Sequence, residues 1–374
     1  MEHKIVLPDY KNCIANLPNS ILKKLGVTTN GDTLPLLDKY LKKDYKNIVV
    51  ILLDGMGKAI LERHLKADGS FRRHLAGIYS STFCSTTVAA TTSMMSGLQP
   101  CEHAWLGWDC YYPEINENVT VFLNRIQGTE TQAADYNVAW TLTPYENVID
   151  KINKAGKDAH IIAPFLDSKI DNFEKICKHI KNICKSESKV SEAAGCPRYI
   201  YAYWNQPDGL LHTYGCGSNE AHECILDLEK QVAELADELD DSLVVVTADH
   251  GHIDTNFIYI YDYPELYDCL VRKPSLEPRV LNFFIKDGKK DFFEKEFKRL
   301  FGEKFILMPT EEMIAKNLMG TGKHHKMFRS MLGDYLALAV SNLSIYYGDK
   351  KLVSQHGSLT EDEMLIPLIV FNGE

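Results

Sequence analysis

Apolar positions along the 374-residue chain fall into two alternating textures. The first is a short unbroken run, seen in "IVVILL" (Ile48 to Leu53), "AHIIAPF" (from Ala159), "RYIYAYW" (from Arg198) and "SLVVVTA" (from Ser242). Such runs are what strands buried on both faces of a parallel sheet require. "MLIPLIVF", from Met364, is a last candidate interrupted by Pro367. The second texture is amphipathic. "NEAHECILDLEKQVAELADELDD", from Asn219, keeps its charges to one side of a long helix. "TPYENVIDKINKAG" predicts a helix with Thr143 at the N-cap, Pro144 in the first turn, Glu146 three residues on and Gly156 at the stop. Alternation of this kind predicts an α/β fold: a doubly wound, mostly parallel sheet with helices on both faces.

From Ser275 to Lys326 the texture changes. "RVLNFFIK", "DFFEKEFKRLFG" and "FILMPTEEMIAKNLMG" predict a small strand-helix-strand-helix insertion, after which "GDYLALAV" and "LSIYYG" resume as strands. The expected organisation is a core of residues 1–274 and 327–374 carrying an inserted α+β subdomain, 275–326. The chain shows neither internal repeats nor low-complexity segments.

One stretch fits neither texture. Ten of the seventeen residues from Ser80 to Ser96 are Ser or Thr, with Val, Ala and Met between them. Val88 to Ser96 predicts a short helix capped by Ser85 or Thr86, closed by Gly97 and kept from continuing by Pro100. Thr87 then sits in the first turn, where unpaired N–H groups and the helix dipole favour an anion.

Composition narrows the partners. With 45% hydrophobic and 25% charged residues the chain resembles an ordinary globular protein, and its formal charge of -10 argues against a nucleic-acid polymer. A small phosphate ester held through metal ions remains compatible with that charge. The N-terminal residues have no apolar run suited to a signal peptide, and no stretch has the length of a membrane span. The ten cysteines lack CxxC pairs and read as reduced, mostly buried thiols, so a cytoplasmic location without membrane contact is expected.

Candidate chemistry gathers where buried strands end. "VVILLDGMG" delivers Asp54, "YWNQPDGLLHTYG" delivers Asp208 and His212 four apart, "VVVTADHGHID" delivers Asp249 and His250, and "SQHGSLTEDEM" delivers His356. In open parallel sheets ligands bind at the C-terminal ends of strands, where these groups converge. Carboxylate and imidazole together suit Zn²⁺, with Mn²⁺ as a substitute. Each feature alone has a blander use, Asp as an N-cap and Asp-His-Gly as a turn. Six together, with a threonine at a helix start, point to a metal site with a nucleophile. His252 is placed to hold a ligand's carboxylate. His103 is expected to be a structural hydrogen bonder, and His324 and His325 to be solvent-exposed.

These residues resemble the alkaline phosphatase superfamily, specifically its type I phosphodiesterase/nucleotide pyrophosphatase branch, from Ile48 to Val370. The resemblance implies two zinc ions. One is bound by Asp54, Asp249 and His250 and contacts the Thr87 oxygen; the other is bound by Asp208, His212 and His356. It further implies Thr87 as nucleophile, a threonyl-phosphate intermediate, and a phosphodiester or nucleotide pyrophosphate as substrate. The sequence departs from the family after Thr87, where Val88, Ala89 and Ala90 replace a Phe-Pro-Asn that offers an aromatic shelf and an amide. A shelf then has to come from elsewhere, with Trp105, Trp108, Tyr111 and Tyr112 as candidates. A phosphonate hydrolase or phosphomonoesterase of the superfamily would share these ligands. A metal-dependent phosphoglycerate mutase fits less well, because it usually has a serine nucleophile. A metal-stabilised binding protein without catalysis is the alternative of another class.

Overall fold

The computed structural model describes residues 4–187, 196–348 and 352–373. A six-stranded sheet lies at its centre. Its strands in chain order are β1 (Asn47–Leu53), β2 (Leu75–Ser80), β3 (Ala159–Ile162), β4 (Arg198–Trp204), β5 (Ser242–Thr247) and β6 (Leu365–Phe371), laid side by side as β2-β6-β5-β1-β4-β3. β1 runs parallel to β4 and β5, and β3 runs parallel to β4. β6 is antiparallel to both β5 and β2, so β2 points with the other four and β6 alone is reversed. The fold is mixed α/β with a mostly parallel central sheet, as the alternation predicts.

Every residue of β1 is buried, which requires cover on both faces because successive side chains point to opposite sides. Helices supply it in two groups that touch within themselves. One comprises Lys58–His64, Phe173–Lys185 and Asn219–Glu238, and the other Asn16–Lys24, Thr87–Ser96 and Val148–Lys154. Pro367 is tolerated inside β6 because it pairs across from Ile78 while the β5 ladder begins only at Leu368. The helix expected from Thr143 starts later. Asn147 is its N-cap, accepting from the Ile149 N–H, while the Thr143 hydroxyl donates back to Ala139 of the preceding turn. Asn, a better cap than Thr, wins the boundary.

The segment 275–326 forms the strands Val280–Phe283 and Phe305–Pro309 and the helices Lys290–Phe301 and Thr310–Ala315 in the expected alternation, with a further short strand, Ser275–Glu277, before them. Its sheet, however, is a seven-stranded antiparallel one that also takes Tyr335–Ala339 and, from the chain following the hydroxyl-rich helix, Asp109–Tyr112, Glu117–Thr120 and Arg125–Ile126. Three short strands bury too little apolar surface alone, and these four complete the layer. Among the described residues no helix is long and apolar enough to cross a membrane. All ten cysteines are free.

A buried ion pair joins the two sheets. Arg279, in the turn before Val280–Phe283, donates to both carboxylate oxygens of Glu363 at 2.6 and 2.8 Å, and neither residue is exposed. Glu363 also accepts from the Ser358 N–H and the Thr360 hydroxyl, so it fixes the loop that carries His356. Burial opposes the charge on Glu363, but Arg279 overrides it and holds the carboxyl below its usual range. Arg279→Leu should cost about 3–5 kcal/mol, because it leaves an uncompensated buried carboxylate. The group's folded pKa is depressed, so its contribution is full above the unfolded value of about 4.3 and is lost as pH falls below it. Thermal unfolding of both proteins from pH 7 to 3 checks this: the gap between them should narrow on the acid side.

Candidate metal centre

Three adjacent parallel strands converge on one end of the central sheet. Asp54 follows β1, Asp208 opens helix α2 (Asp208–Tyr214) after β4, and Asp249 and His250 follow β5. The loops interlock: the Asp54 N–H donates to Trp204 O at 2.9 Å, and the Asp208 N–H to Asp54 O at 3.0 Å. Gly55 makes this possible. Its φ is +75°, and a Cβ there would stand 2.9 Å from the His252 ring and 3.1 Å from Asp208 Cα. A two-residue antiparallel ladder, Ser354–Gln355 against Ile253–Asp254, brings the His356 loop beside His252. Thr87 opens the buried helix α1 (Thr87–Ser96), which Gly97 closes with a left-handed φ of 72°.

The first group centres on His250. Its Nδ1 faces the Gly251 carbonyl at 3.0 Å, and a carbonyl can only accept, so Nδ1 carries the proton and Nε2 presents a lone pair. Around Nε2 lie Thr87 Oγ1 at 3.2 Å, Asp54 Oδ1 at 3.4 Å and Asp249 Oδ2 at 3.4 Å. Four ligands held tetrahedrally about 2.0–2.1 Å from an ion stand about 3.3–3.4 Å apart, which these separations match. Each carboxylate is held by one oxygen only. Tyr203 donates to Asp54 Oδ2 at 2.5 Å, and the N–H groups of Gly55 and His250 donate to Asp249 Oδ1 at 3.1 and 3.0 Å. Asp54 Oδ1 and Asp249 Oδ2 are buried with no hydrogen-bond partner.

The second group centres on Asp208 Oδ1, which has His252 Nε2 at 2.7 Å, His212 Nε2 at 3.3 Å and His356 Nε2 at 3.7 Å. His212 and His356 repeat the pattern of His250: each Nδ1 faces a backbone carbonyl, Ser354 O at 2.8 Å and Ser85 O at 3.2 Å, so each Nε2 presents a lone pair. His252 differs. Its Nδ1 faces the Ser354 hydroxyl at 3.0 Å, which can donate, leaving Nε2 to donate to Asp208. His252 therefore orients a carboxylate rather than offering a ligand atom. By distance alone the candidate ligand atoms of Asp208, His250, His252 and His356 all lie within 4.8 Å of one another, as do those of Asp54, Asp249 and His250; His212 falls outside the first grouping.

Electrostatics mark the same place. Burial, reinforced by Asp249 and Asp208, pushes the Asp54 carboxyl well up, and burial pushes Asp249 up as well. Burial also opposes the charge on Asp208, yet His212 and His252 beside it hold its carboxyl well down. Burial moves His252 down to about 4. Among the described residues no Lys or Arg pairs with any of these groups. Acceptors facing acceptors in a buried space are unfavourable unless a cation lies between them, so this donor set fits divalent metal.

Thr87 and Thr86 part company. Thr87 turns its hydroxyl to His250, whereas Thr86 occupies the N-cap position without capping and donates to Glu277 Oε1 at 2.6 Å. The cap expected from Ser85 or Thr86 is therefore absent; the Ser85 hydroxyl goes to Ser358 O at 2.7 Å. Of the four candidate shelf residues, Trp105, Tyr111 and Tyr112 are buried, and Trp108 alone is half-exposed at 39%. His103 is buried, its Nδ1 accepting from the Trp105 N–H while Nε2 meets the Ser93 hydroxyl. Tyr203, Ser354 and Glu277 escaped the sequence reading: "YIYAYW" and "SLEP" look like plain strand and turn.

Comparison with known proteins agrees with the geometry. The sequence profile of the type I phosphodiesterase / nucleotide pyrophosphatase family matches residues 48–357. No curated protein matches the sequence. Among solved structures, human ectonucleotide pyrophosphatase/phosphodiesterase 5 aligns at TM-score 0.64 and 17% identity, covering 87% of each chain. The murine protein, solved as an inactive threonine-to-alanine variant in complex with AMP, aligns at 0.63 and 16%, covering 87% of this chain and 88% of the other. Phosphonoacetate hydrolase from Sinorhizobium meliloti 1021, in complex with phosphonoformate, aligns at 0.62 and 17%, covering 92% of each.

Because Tyr203 holds the oxygen of Asp54 that faces away from His250, Tyr203→Phe should weaken metal retention about 10- to 100-fold while the fold survives. Competition against a chromogenic chelator, with circular dichroism as the control, measures it. Unchanged metal affinity would remove Tyr203 from the site.

Proposed function

The chain belongs to the type I phosphodiesterase/nucleotide pyrophosphatase family, and from that premise we propose that it hydrolyses phosphodiester or nucleotide pyrophosphate bonds with Thr87 as nucleophile. Two zinc ions, replaceable by manganese, would be held by Asp54, Asp249 and His250 with Thr87, and by Asp208, His212 and His356. The observation that carries this reading is the Thr87 hydroxyl at 3.2 Å from His250 Nε2, a nitrogen that two unpartnered carboxylate oxygens also face at 3.4 Å. A purely structural site would have no use for a hydroxyl in that place.

Bound metal would supply the positive charge that makes an alcohol nucleophilic at neutral pH and offsets the phosphoryl charge. Thr87 Oγ1 would form a bond to phosphorus as the bond to the leaving oxygen breaks, giving a threonyl phosphate. Water attacking the same phosphorus would then break the new bond and return the hydroxyl. The N–H groups in the first turn of α1, which receive no side-chain cap, would donate to a phosphoryl oxygen in place of the missing amide. Asp249 and His250 are closed off at 0% exposure, whereas Asp208 and His212 keep 19% and 16%. The leaving group would therefore depart past Asp208 and His212.

Charge selects the ester. Three carboxylates against two divalent cations leave about one positive charge, which a singly charged diester neutralises. A doubly charged monoester would call for a further cation, and among the described residues no Lys or Arg pairs with these side chains. The murine neighbour's inactive threonine variant and its bound AMP support a threonine nucleophile and a nucleotide-like substrate. A phosphonate substrate is the second reading. It is favoured by the phosphonoacetate hydrolase neighbour and by the buried Val88, Ala89 and Ala90, which offer no shelf for a base.

Thr87→Ala should lower kcat by roughly 10³-fold or more with metal content intact, and Thr87→Ser should keep part of the activity. Full turnover by the alanine variant would end the proposal. Bis-p-nitrophenyl phosphate, or a nucleotide p-nitrophenyl ester, should exceed p-nitrophenyl phosphate in kcat/KM with zinc present. Turnover of phosphonoacetate alone would move the assignment to the carbon–phosphorus bond.

A further inference from the structure

Glu277 belongs to neither group of candidate ligands, yet it is enclosed beside them at the end of strand Ser275–Glu277, 4% exposed. Two donors converge on one of its oxygens: the Thr86 hydroxyl at 2.6 Å and the Trp108 backbone N–H at 2.8 Å, both to Oε1. Among the described residues no ion pair involves it. A buried acid without a cation is costly, and burial accordingly pushes Glu277 up to about 8. The backbone around it is unusual too. Leu276 adopts φ +76°, a left-handed conformation that a leucine holds only when its surroundings over-determine it. Gly357, next to His356, has φ +122°, and a Cβ there would stand 3.1 Å from Cβ and Cγ of Glu277. The side chain is thus wedged between the loop before Thr87, the loop after His356 and the backbone of Trp108.

We propose that Glu277 is a positioning residue for the Thr87 hydroxyl, acting through Thr86; the inference rests on the reading of Thr87 as nucleophile. Ser85 is tied to the His356 loop by three bonds, from its N–H to Gly357 O, from its hydroxyl to Ser358 O and from His356 Nδ1 to its carbonyl. Glu277 supplies the opposing tether, from the second sheet, one residue closer to Thr87. The bond has a second effect. A threonine at an N-cap ordinarily turns its oxygen back to the helix N–H groups. Here Glu277 draws that hydroxyl away, so the first turn stays open for a phosphoryl oxygen. Displacement of a nucleophile by an ångström costs about 10²-fold, so a single tether at this position governs rate rather than affinity.

The test compares the pre-steady-state burst of p-nitrophenol from a diester across Thr86→Val, Glu277→Leu, their combination, Glu277→Gln and Thr87→Ala. Melting temperature and metal content are measured for each. The proposal expects Thr86→Val and Glu277→Leu each to slow the burst at least tenfold at unchanged metal content, and the double variant to be no slower than the worse single. Glu277→Gln, which keeps the accepting oxygen, should stay within about threefold of wild type. If Glu277→Leu fails to fold, Thr86→Val and Glu277→Gln decide the matter. A wild-type burst in Thr86→Val, or slowing only in proportion to lost metal, would overturn it while leaving Thr87 in place. A burst that persists in Thr87→Ala would overturn both readings.

Discussion

Buried carboxylate oxygens and an imidazole lone pair that face one another beside the Thr87 hydroxyl set the terms for the rest of this structure. His250 Nε2 stands 3.4 Å from both Asp54 Oδ1 and Asp249 Oδ2, and the bonds made by the opposite atom of each group leave the two carboxylate oxygens without a hydrogen-bond partner. In a low-dielectric interior such an arrangement is repulsive, and a proton or a cation between the oxygens relieves it, which is why burial pushes the Asp54 and Asp249 carboxyls up. A fold that keeps it has to be stiff, and the parallel strands β1, β4 and β5 with their interlocked end loops provide the stiffness. The role of His252 follows from the same accounting, since it is the one histidine here whose Nδ1 meets a possible donor.

The antiparallel sheet has a share in this arrangement. Through Arg279 it grips Glu363 and so the loop of His356, and through Glu277 it grips Thr86. The parallel sheet thus delivers the carboxylates, while the second sheet controls the approach of the last histidine and of the hydroxyl. An excursion of one sheet against the other would break a fully buried ion pair, so the two act as one frame.

Much of this was legible in the sequence, and the limits have physical causes. Unbroken apolar runs announced β1, β4 and β5, because strands buried on both faces leave little room for polar residues; β3, an edge strand with two half-buried residues, was announced by its run alone. β2, "LAGIYS", was missed because an edge strand is only half covered and its pattern is weak. The convergence of Asp54, Asp208, Asp249 and His250 was legible because a strand end is a fixed address in a parallel sheet; Thr87 was legible as a helix start, and His356 follows a two-residue antiparallel strand instead. The partners that orient them were not. Tyr203 looks like a strand aromatic, Ser354 acts through its carbonyl as well as its hydroxyl, and Glu277 comes from a strand 191 residues after Thr86; contacts of that kind leave no local period. The reach of the sheet beyond 275–326 was hidden for a related reason: the antiparallel strands it takes from 109–126 and 335–339 share hydrogen bonds with it, not sequence texture.

The unequal burial of the two halves of the centre gives the site a direction. One half, around His250, is sealed beneath the Thr87 helix; the other, around His212, opens to solvent. On the reading proposed above, a substrate meets a fixed wall on the side it is attacked from and open water on the side it leaves by. Such a site is strict about the group it retains and lenient about the group it discards. Variation among leaving groups would then be absorbed without any change in the frame, and selectivity would have to reside in the surfaces that line the sealed side.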